Sequence, residues 1–207
     1  MRIAREAHDQ PESPDVVSTA VADYDWLVRS ASRLEYFSDT APPGLLQTAE
    51  YAREILKMWD PAASKERIER TLAARMARQQ RLAGADALEV RVIVGEGALR
   101  CVVGGPEVMR ASCATCSTAP RCRRSSCASY RSRPARIPAS PVRSRSCASR
   151  TAALAHVVTR AGDIYAEDAE PFAQAPRRIK RMALSQRESV AMIAALTKAM
   201  TRSEAMA

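Results

Sequence analysis

The stretch SKERIERTLAARMARQQRLAGADALEVRVIV, residues 64–94, decides the fold class because a helical pattern passes directly into a strand pattern. Its first part repeats apolar side chains at helical spacing behind Ser64, which is a suitable N-cap. Gly84 ends that helix. The last part alternates apolar and charged residues, as a strand with one buried face does. The apolar positions of this alternation are Leu88, Val90, Val92 and Val94. The stretch therefore predicts a fold that contains both helices and strands.

Helical patterns surround this central unit. Residues 16–36 are predicted to be helical up to the Pro-Pro-Gly sequence at 42–44, which interrupts the backbone pattern. A new helix starts after the N-cap Thr48 and carries an apolar stripe of Tyr51, Ile55 and Met58. The last helix begins with a capping box of Ser185 and Glu188. The fold should therefore be predominantly helical, with helices around a small sheet.

The shorter elements are less regular. Gly104, Gly105 and Pro106 form a turn into a helix, with the proline at its first position. Residues 152–159 are apolar enough to be either a strand or a helix. Gly162 and Asp163 should form a turn that leads into a helix with acidic residues in its first turn.

The positive charge belongs to one segment. The chain has 32 Lys and Arg against 23 Asp and Glu, for a formal net charge of +9. Residues 111–150, called here the Arg/Ser/Cys segment, contain nine Arg, ten Ser and five Cys but no Asp, Glu, Leu, Phe or Gly. The rest of the chain therefore balances at zero, which excludes a uniformly basic nucleic-acid-binding domain. With so little apolar content the segment should be disordered and should leave the sheet incomplete.

No sequence pattern indicates catalysis. We therefore expect that the protein is not an enzyme and that it has no catalytic residue, no cofactor and no metal site. The only histidines are His8 and His156, and neither lies near a cluster of acidic or nucleophilic residues. An acidic patch is explained by the start of a helix, where the helix dipole favours acids. Its members are Asp163, Glu167, Asp168 and Glu170.

One row of arginines leaves two interpretations open. Arg67, Arg70, Arg78 and Arg81 share a side of the helix that follows Ser64. They could contact phosphate groups, or they could form a solvated flank partnered by Glu66 and Glu69, which is the commoner arrangement.

The predicted cellular location depends on two signals that the sequence lacks, a membrane span and an export signal. No apolar run approaches the ~18–20 residues of a membrane span, and the first 15 residues carry charges where a signal peptide would be apolar. We therefore expect a cytoplasmic protein that does not contact membranes. Its six cysteines should be reduced thiols.

Several stretches occur together in one order: PPGLLQTAEYAREIL (42–56), IERTLAARMARQQRL (68–82), EVRVIVGEGALRCVVGGPEVMR (89–110) and AGDIYAEDAEPF (161–172). In these stretches the chain resembles the C-terminal domain of unknown function of helix-turn-helix, Xre-type transcriptional regulators of high-GC Gram-positive bacteria, some of them antitoxin-like. The resemblance implies an α+β module that binds a small effector or a protein partner. It reaches DNA only through an upstream helix-turn-helix domain.

The resemblance also implies a division of the chain. Residues 1–15 look like a disordered remnant of an upstream helix-turn-helix domain that is missing here, so no DNA-reading residue can be assigned. Residues 16–207 correspond to the regulator's C-terminal domain, interrupted by the Arg/Ser/Cys segment. We therefore expect a truncated regulator.

The Arg/Ser/Cys segment departs from the family pattern in a way that indicates a frameshift. Cys-Ala occurs at 113–114, 127–128 and 147–148, and with GC-rich codons the neighbouring frame encodes Leu-Arg each time. The shifted frame can also encode QLRHLLDRAEV and VLPFAAGAHPGLTG, which fit the family. We therefore expect two compensating insertions or deletions, one near Arg110 and one before Thr159. The resulting chain should be marginally stable or prone to aggregation.

A second function class remains open for the same segment. Cys113, Cys116, Cys122 and Cys127 offer four thiolates for zinc, although their spacing is cramped for two metal-binding knuckles. Without a metal they would be exposed thiols whose pKa the arginines lower. The arginines could instead bind nucleic acid, with Tyr130 as the only stacking aromatic. The alternative is thus a nucleic-acid- or zinc-binding protein.

Overall fold

A computed structural model describes residues 19–118, 125–130, 143–148, 153–159, 162–166, 177 and 179–204. The helices are α1 (Thr19–Ser30), α2 (Ala49–Trp59), α3 (Lys65–Gln79), α4 (Glu96–Arg100), α5 (Pro106–Thr118) and α6 (Gln186–Glu204). The strands are β1 (Arg33–Ser38), β2 (Glu89–Gly95), β3 (Ser125–Tyr130), β4 (Arg143–Ala148), β5 (Ala153–Thr159) and β6 (Gly162–Ala166). Short 3-10 turns lie at Gly44–Leu46 and Gln80–Leu82.

The strands form one mixed sheet in the order β3-β2-β1-β4-β5-β6. Strands β1, β2 and β3 are parallel, and β4, β5 and β6 extend the sheet in antiparallel fashion. More residues lie in helices than in strands. The predicted α+β, predominantly helical fold is therefore confirmed.

The Arg/Ser/Cys segment was expected to be disordered, but part of it forms a helix and two strands. Residues 111–118 complete α5, and the same segment supplies β3 and the central strand β4. The sheet is therefore larger than expected. Ladder hydrogen bonds come from backbone N–H and C=O groups, so a segment poor in apolar side chains can still pair as strands. The rest of the segment and the predicted remnant at 1–15 lie outside the described residues.

The main core lies between the helices and one face of the parallel strands. It includes Leu34 and Tyr36 from β1 and three valines from β2, packed with residues of α2, α5 and α6. Phe37, Ile93 and Tyr130 belong to a smaller cluster that also contains Ile179. Neighbouring residues of a strand belong to different clusters, because successive side chains of a strand point to opposite faces of the sheet.

The predicted helix starts are confirmed by their caps. The Thr48 hydroxyl accepts a hydrogen bond from the Tyr51 N–H, and Ser64 caps α3 in the same way. Ser185 and Glu188 form the reciprocal capping box, since the Ser185 N–H donates to the Glu188 carboxylate at 2.9 Å and the Glu188 N–H to Ser185 Oγ at 3.3 Å. Each cap satisfies an N–H that the helix leaves unpaired.

Two local predictions are wrong. The helix expected over residues 16–36 ends at Ser30, because Leu34 and Tyr36 are buried at strand spacing beside the parallel strand β2. The helix start expected after Gly162 is instead the strand β6, which pairs with β5. In both places pairing with a distant strand outweighs a weak local helical pattern.

The backbone groups of Ser129, at the outer edge of β3, are hydrogen-bonded. The Ser129 N–H donates to the Ser189 hydroxyl at 2.9 Å, and the Ser129 carbonyl accepts from the Leu184 N–H at 2.8 Å. Leu184 and the first turn of α6 therefore cover this part of the edge, which reduces the exposure of free backbone groups.

Candidate functional site

The turn at residues 42–48 is held in place by side chains of α3. The Gln47 side chain is only 3% exposed; its amide nitrogen donates to the Pro42 carbonyl at 2.7 Å, and its amide oxygen accepts from Arg75 at 2.7 Å. The Gln79 amide donates to the carbonyls of Gly44 at 3.1 Å and Gln47 at 2.7 Å. The polar groups of a buried turn are thus paired, which fixes its conformation.

The same turn is attached to the core from the other side. Leu45 and Leu46 are buried in the main core, and the Thr115 hydroxyl of α5 contacts the carbonyl oxygens of Leu46 and Ser112. The turn is therefore a rigid joint between α2, α3 and α5.

An exposed apolar surface follows directly at the end of α2. Met58 is 57% exposed and Trp59 is 49% exposed, so Met58 is not part of the predicted buried stripe, whereas Tyr51 and Ile55 are. The Arg75 guanidinium carbon lies 5.9 Å from the centre of the Trp59 ring, which is a cation–π distance. We call Met58, Trp59 and Arg75 the Trp59 surface. Trp, Met and Arg are the residue types enriched at protein interfaces.

The arginine row of α3 does not form one phosphate-contacting face. Arg78 is 9% exposed and its Nε lies 3.1 Å from Asp25 of α1. Arg81 donates to the carbonyl oxygens of Ala31 at 3.1 Å and Asp86 at 3.0 Å. Arg78 therefore connects α3 to α1, and Arg81 connects the 3-10 turn after α3 to neighbouring backbone.

The proposed acidic partners of that row are also used differently. Glu69 accepts two hydrogen bonds from Arg53 of α2, at 2.7 and 3.1 Å. These bonds lower the pKa of Glu69. Arg67 lies 3.6 Å from Asp60. Glu69 thus contributes to a contact between helices, whereas the exposed Glu66 and Arg70 interact one turn apart on α3, as the solvated-flank interpretation expects.

Three cysteines meet in the core between α5 and β3. Cys113, Cys116 and Cys127 are all buried in the main core. Burial raises the pKa of Cys113 to about 11. Interaction with Cys127, together with burial, raises the pKa of Cys116. The expectation of exposed thiols is wrong for all three. The expectation of a lowered pKa is wrong for Cys113 and Cys116, because burial disfavours the thiolate.

The structure gives the zinc hypothesis no assembled ligand set. Among the described residues, no group of three or more His, Cys, Asp or Glu is arranged to hold a metal ion. Cys122 lies outside those residues. The free cysteine Cys101 is exposed at the end of α4.

Tyr130 is not placed for base stacking. It is 3% exposed and stacks on Phe37 with ring centroids 5.8 Å apart. Its hydroxyl oxygen lies 2.9 Å from the point where a Cβ on Gly95 would stand, so a side chain at position 95 would collide with the ring. The carboxyl ends of the parallel strands are therefore closed by an aromatic side chain, beside the buried Asp39 Oδ1, which has no hydrogen-bond partner.

The remaining predicted positions are dispersed. Asp163 lies in β6, and His156 lies in β5 opposite Tyr165 in the register. Glu167, Asp168, Glu170 and His8 lie outside the described residues.

Two sets of contacts were not predicted: the ion pair of Asp25 with the buried Arg78 and the hydrogen bonds of Gln47. Gln47 could have been singled out as a polar residue between two leucines and an N-cap. Nothing in the local sequence indicates that Arg78 faces inward while Arg67 does not.

A family model described as a domain of unknown function (DUF5753) matches residues 21–195. No curated protein and no solved structure matches the chain. Within the described ranges, every helix is too short or too polar to cross a membrane.

Proposed function

Since the chain belongs to the DUF5753 family, we propose that it is the non-enzymatic effector- or partner-binding module of an Xre-type, helix-turn-helix transcriptional regulator. In this proposal the regulator contacts DNA through its helix-turn-helix domain. The present domain binds a protein or a small effector in the cytoplasm. The proposal rests on the resemblance in the four ordered stretches and on the kind of surface that the fold presents.

The Trp59 surface is the observation that carries the proposal. Met58 and Trp59, the last two residues of α2, are both large, apolar and exposed. Arg75 contacts both the Trp59 ring and the buried Gln47, so the surface is connected to the rigid turn at 42–48. An aromatic anchor on a rigid support loses little conformational entropy on binding, which favours interface formation.

Replacing Trp59 tests this surface. Immobilised wild-type protein and the variants Trp59→Ala and Met182→Ala are compared for the proteins that each retains from an extract of the source cells. Met182 is a matched control because it is a large apolar residue with similar exposure, 52%. We expect a partner that wild type and Met182→Ala retain and Trp59→Ala loses. Equal retention by all three proteins would contradict a role of Trp59.

The alternative function uses the Arg/Ser/Cys segment to bind nucleic acid or zinc. The burial of Cys113, Cys116, Cys127 and Tyr130 argues against it, because each of these side chains would have to leave the core to act. The alternative predicts either zinc in the purified protein or an affinity for DNA that falls steeply between 50 and 200 mM salt. Metal analysis and DNA titration at both salt concentrations therefore separate the two functions, and our proposal expects neither signal.

The frameshift is part of the proposal, and burial supports it. In the neighbouring frame Cys113 and Cys127 become leucine and Ala114 becomes arginine. The two cysteines are core residues, whereas Ala114 is exposed. The shifted residues would thus suit their positions better than the present ones do.

Sequencing the gene from upstream of its start through the codon for Asp163 tests the frameshift. We expect the neighbouring frame to encode the family pattern across the segment. Codons that are incompatible with Leu-Arg at the three Cys-Ala positions would refute the hypothesis.

A further inference from the structure

A second positively charged region lies near the C-terminal end of the chain, outside the Arg/Ser/Cys segment. Residues 171–203 contain seven Lys and Arg but one acid, Glu188. The Glu188 carboxylate accepts hydrogen bonds from the N–H and the hydroxyl of Ser185 in the capping box. The region follows residue 158, so the proposed frameshift leaves its charge unchanged.

Three cations of this region have no acidic partner. Lys180, Arg181 and Arg187 are exposed, and none of them forms an ion pair with a carboxylate of the residues that the structure describes. Several exposed cations of other elements do have carboxylate partners, at 2.5–3.6 Å: Arg29, Arg33, Lys57, Arg67 and Arg100. The three cations therefore retain a charge that an external anion can neutralise.

Apolar side chains are exposed among these cations. Met182 follows Arg181 and is 52% exposed, and Val190 is 36% exposed. Val190 lies one turn after Arg187 on α6, so the two side chains share one side of the helix. We call Lys180, Arg181, Met182, Arg187 and Val190 the 180–190 surface. It combines positive charge with exposed apolar area.

The 180–190 surface is attached to the sheet. Ile179 is 8% exposed and belongs to the smaller cluster together with Phe37. The Leu184 N–H donates to the Ser129 carbonyl at 2.8 Å, and this bond joins backbone groups, so it does not depend on the side chain at position 129. A surface that is ordered before binding loses less conformational entropy when a partner docks.

We propose that the 180–190 surface docks an acidic, amphipathic segment of a partner protein. Carboxylates of this segment pair with the three cations, and its apolar side chains cover Met182 and Val190. Phosphate groups of a nucleic acid would neutralise the cations but would leave the apolar side chains without a partner. The five residues include no aromatic side chain on which a base could stack. The inference goes beyond the proposed function, because it concerns a surface other than the Trp59 surface.

Binding of a defined peptide to the full chain tests the surface. The probe is a fluorescent helical peptide of about four turns that carries Glu on one face and Leu on the other. A DNA duplex with the same number of negative charges is the second probe. Fluorescence anisotropy measures the affinity of each probe for wild type and for the variants. Failure of wild type to bind the peptide would overturn the inference.

Removal of two unpaired cations is the central comparison. The double variant Arg181→Gln, Arg187→Gln should bind the peptide at least ~5-fold more weakly than wild type. The matched control, Arg29→Gln with Arg100→Gln, removes two exposed arginines that are already paired and should change the affinity by less than ~2-fold. The Arg/Ser/Cys segment is the same in both variants, so binding of a probe to that segment affects them equally. Equal losses in the two double variants would contradict the proposal.

Two further variants separate the alternatives. Met182→Ala should weaken binding of the peptide by ~3-fold and leave the duplex unchanged, because only the peptide carries apolar side chains. If the double variant weakens the duplex as much as the peptide, the surface binds phosphate groups and the inference is overturned. Trp59→Ala should bind the peptide as wild type does, so the two surfaces can fail independently. Circular dichroism establishes that each variant is folded, and if the double variant is not, Arg181→Gln and Arg187→Gln decide singly.

Discussion

Two buried serine hydroxyls show how single residues lower the stability of this core. Ser112 in α5 and Ser129 in β3 are fully buried, and neither side-chain oxygen has a hydrogen-bond partner. An unpaired buried hydroxyl costs about 1–3 kcal/mol of stability. Both residues belong to the Arg/Ser/Cys segment, so the cost falls where the shifted reading frame is proposed.

Removal of one of these hydroxyls should stabilise the protein. Ser129→Ala should raise the free energy of unfolding by about 1 kcal/mol, which corresponds to a Tm increase of roughly 2–4 °C. Ser189→Ala is the matched control, because the Ser189 hydroxyl accepts the Ser129 N–H and its loss leaves that donor unpaired. Calorimetry should show opposite signs for the two variants. A decrease in Tm for both would contradict the assignment of Ser129 as a strained residue.

The buried thiol of Cys113 should make stability depend on alkaline pH. Its pKa rises from 9.0 to about 11 on folding, so the native state favours the neutral thiol. That contribution is complete below pH 9 and is lost as the pH rises toward 11. Urea unfolding at pH 8 and pH 10.5 should show a smaller loss of stability in Cys113→Ala than in wild type. Equal losses would refute the prediction, and Cys101→Ala serves as the exposed control.

The helix α3 is the element that joins the helical layer together. Arg75 and Gln79 bond the turn at 42–48, Arg78 pairs with α1 and Glu69 pairs with α2. These contacts come from several sides of the helix, so α3 cannot be moved without breaking polar contacts to its neighbours. This explains why a helix with few buried apolar side chains is fixed in the fold.

Gln47 should be the most sensitive polar residue of this joint. Gln47→Ala removes the bonds to Pro42 and Arg75, and should lower the free energy of unfolding by about 1–3 kcal/mol because the buried Pro42 carbonyl loses this donor. Lys57→Ala removes an exposed pair with Glu54 and should change stability by less than ~0.5 kcal/mol. Urea denaturation compares the two variants. Equal effects would mean that the Gln47 bonds contribute no more than a surface ion pair.

At the scale of the whole molecule, the weakest part of the sheet is its centre. Strand β4 lies between β1 and β5, and its sequence RSRSCA has little apolar surface to bury. Strand β3 at the edge has the similar sequence SSCASY. Backbone pairing joins these strands, but side-chain burial supplies most of the driving force for folding.

The chain should therefore unfold in a broad transition or aggregate. The matched control replaces residues 111–158 with the translation of the neighbouring frame and keeps everything else. We expect this chain to melt more sharply and at a Tm higher by more than about 5 °C, because leucine would replace the buried Cys113 and Cys127 in the core. Light scattering during the melt should also decrease. A sharp, reversible transition of the present chain at the same Tm would argue against the frameshift.

Local sequence by itself determined the helix α3, the strand β2 and the caps at Thr48, Ser64 and Ser185. Each depends on residues within one element, where periodicity and a side chain three positions away carry the whole signal. Only the tertiary structure decided that Gln47 binds Arg75, 28 residues further along the chain, and that the cysteines are buried. It likewise decided that residues 33–38 are a strand. Such outcomes depend on which distant groups bury a residue or hydrogen-bond with its backbone. A local sequence pattern does not contain that information.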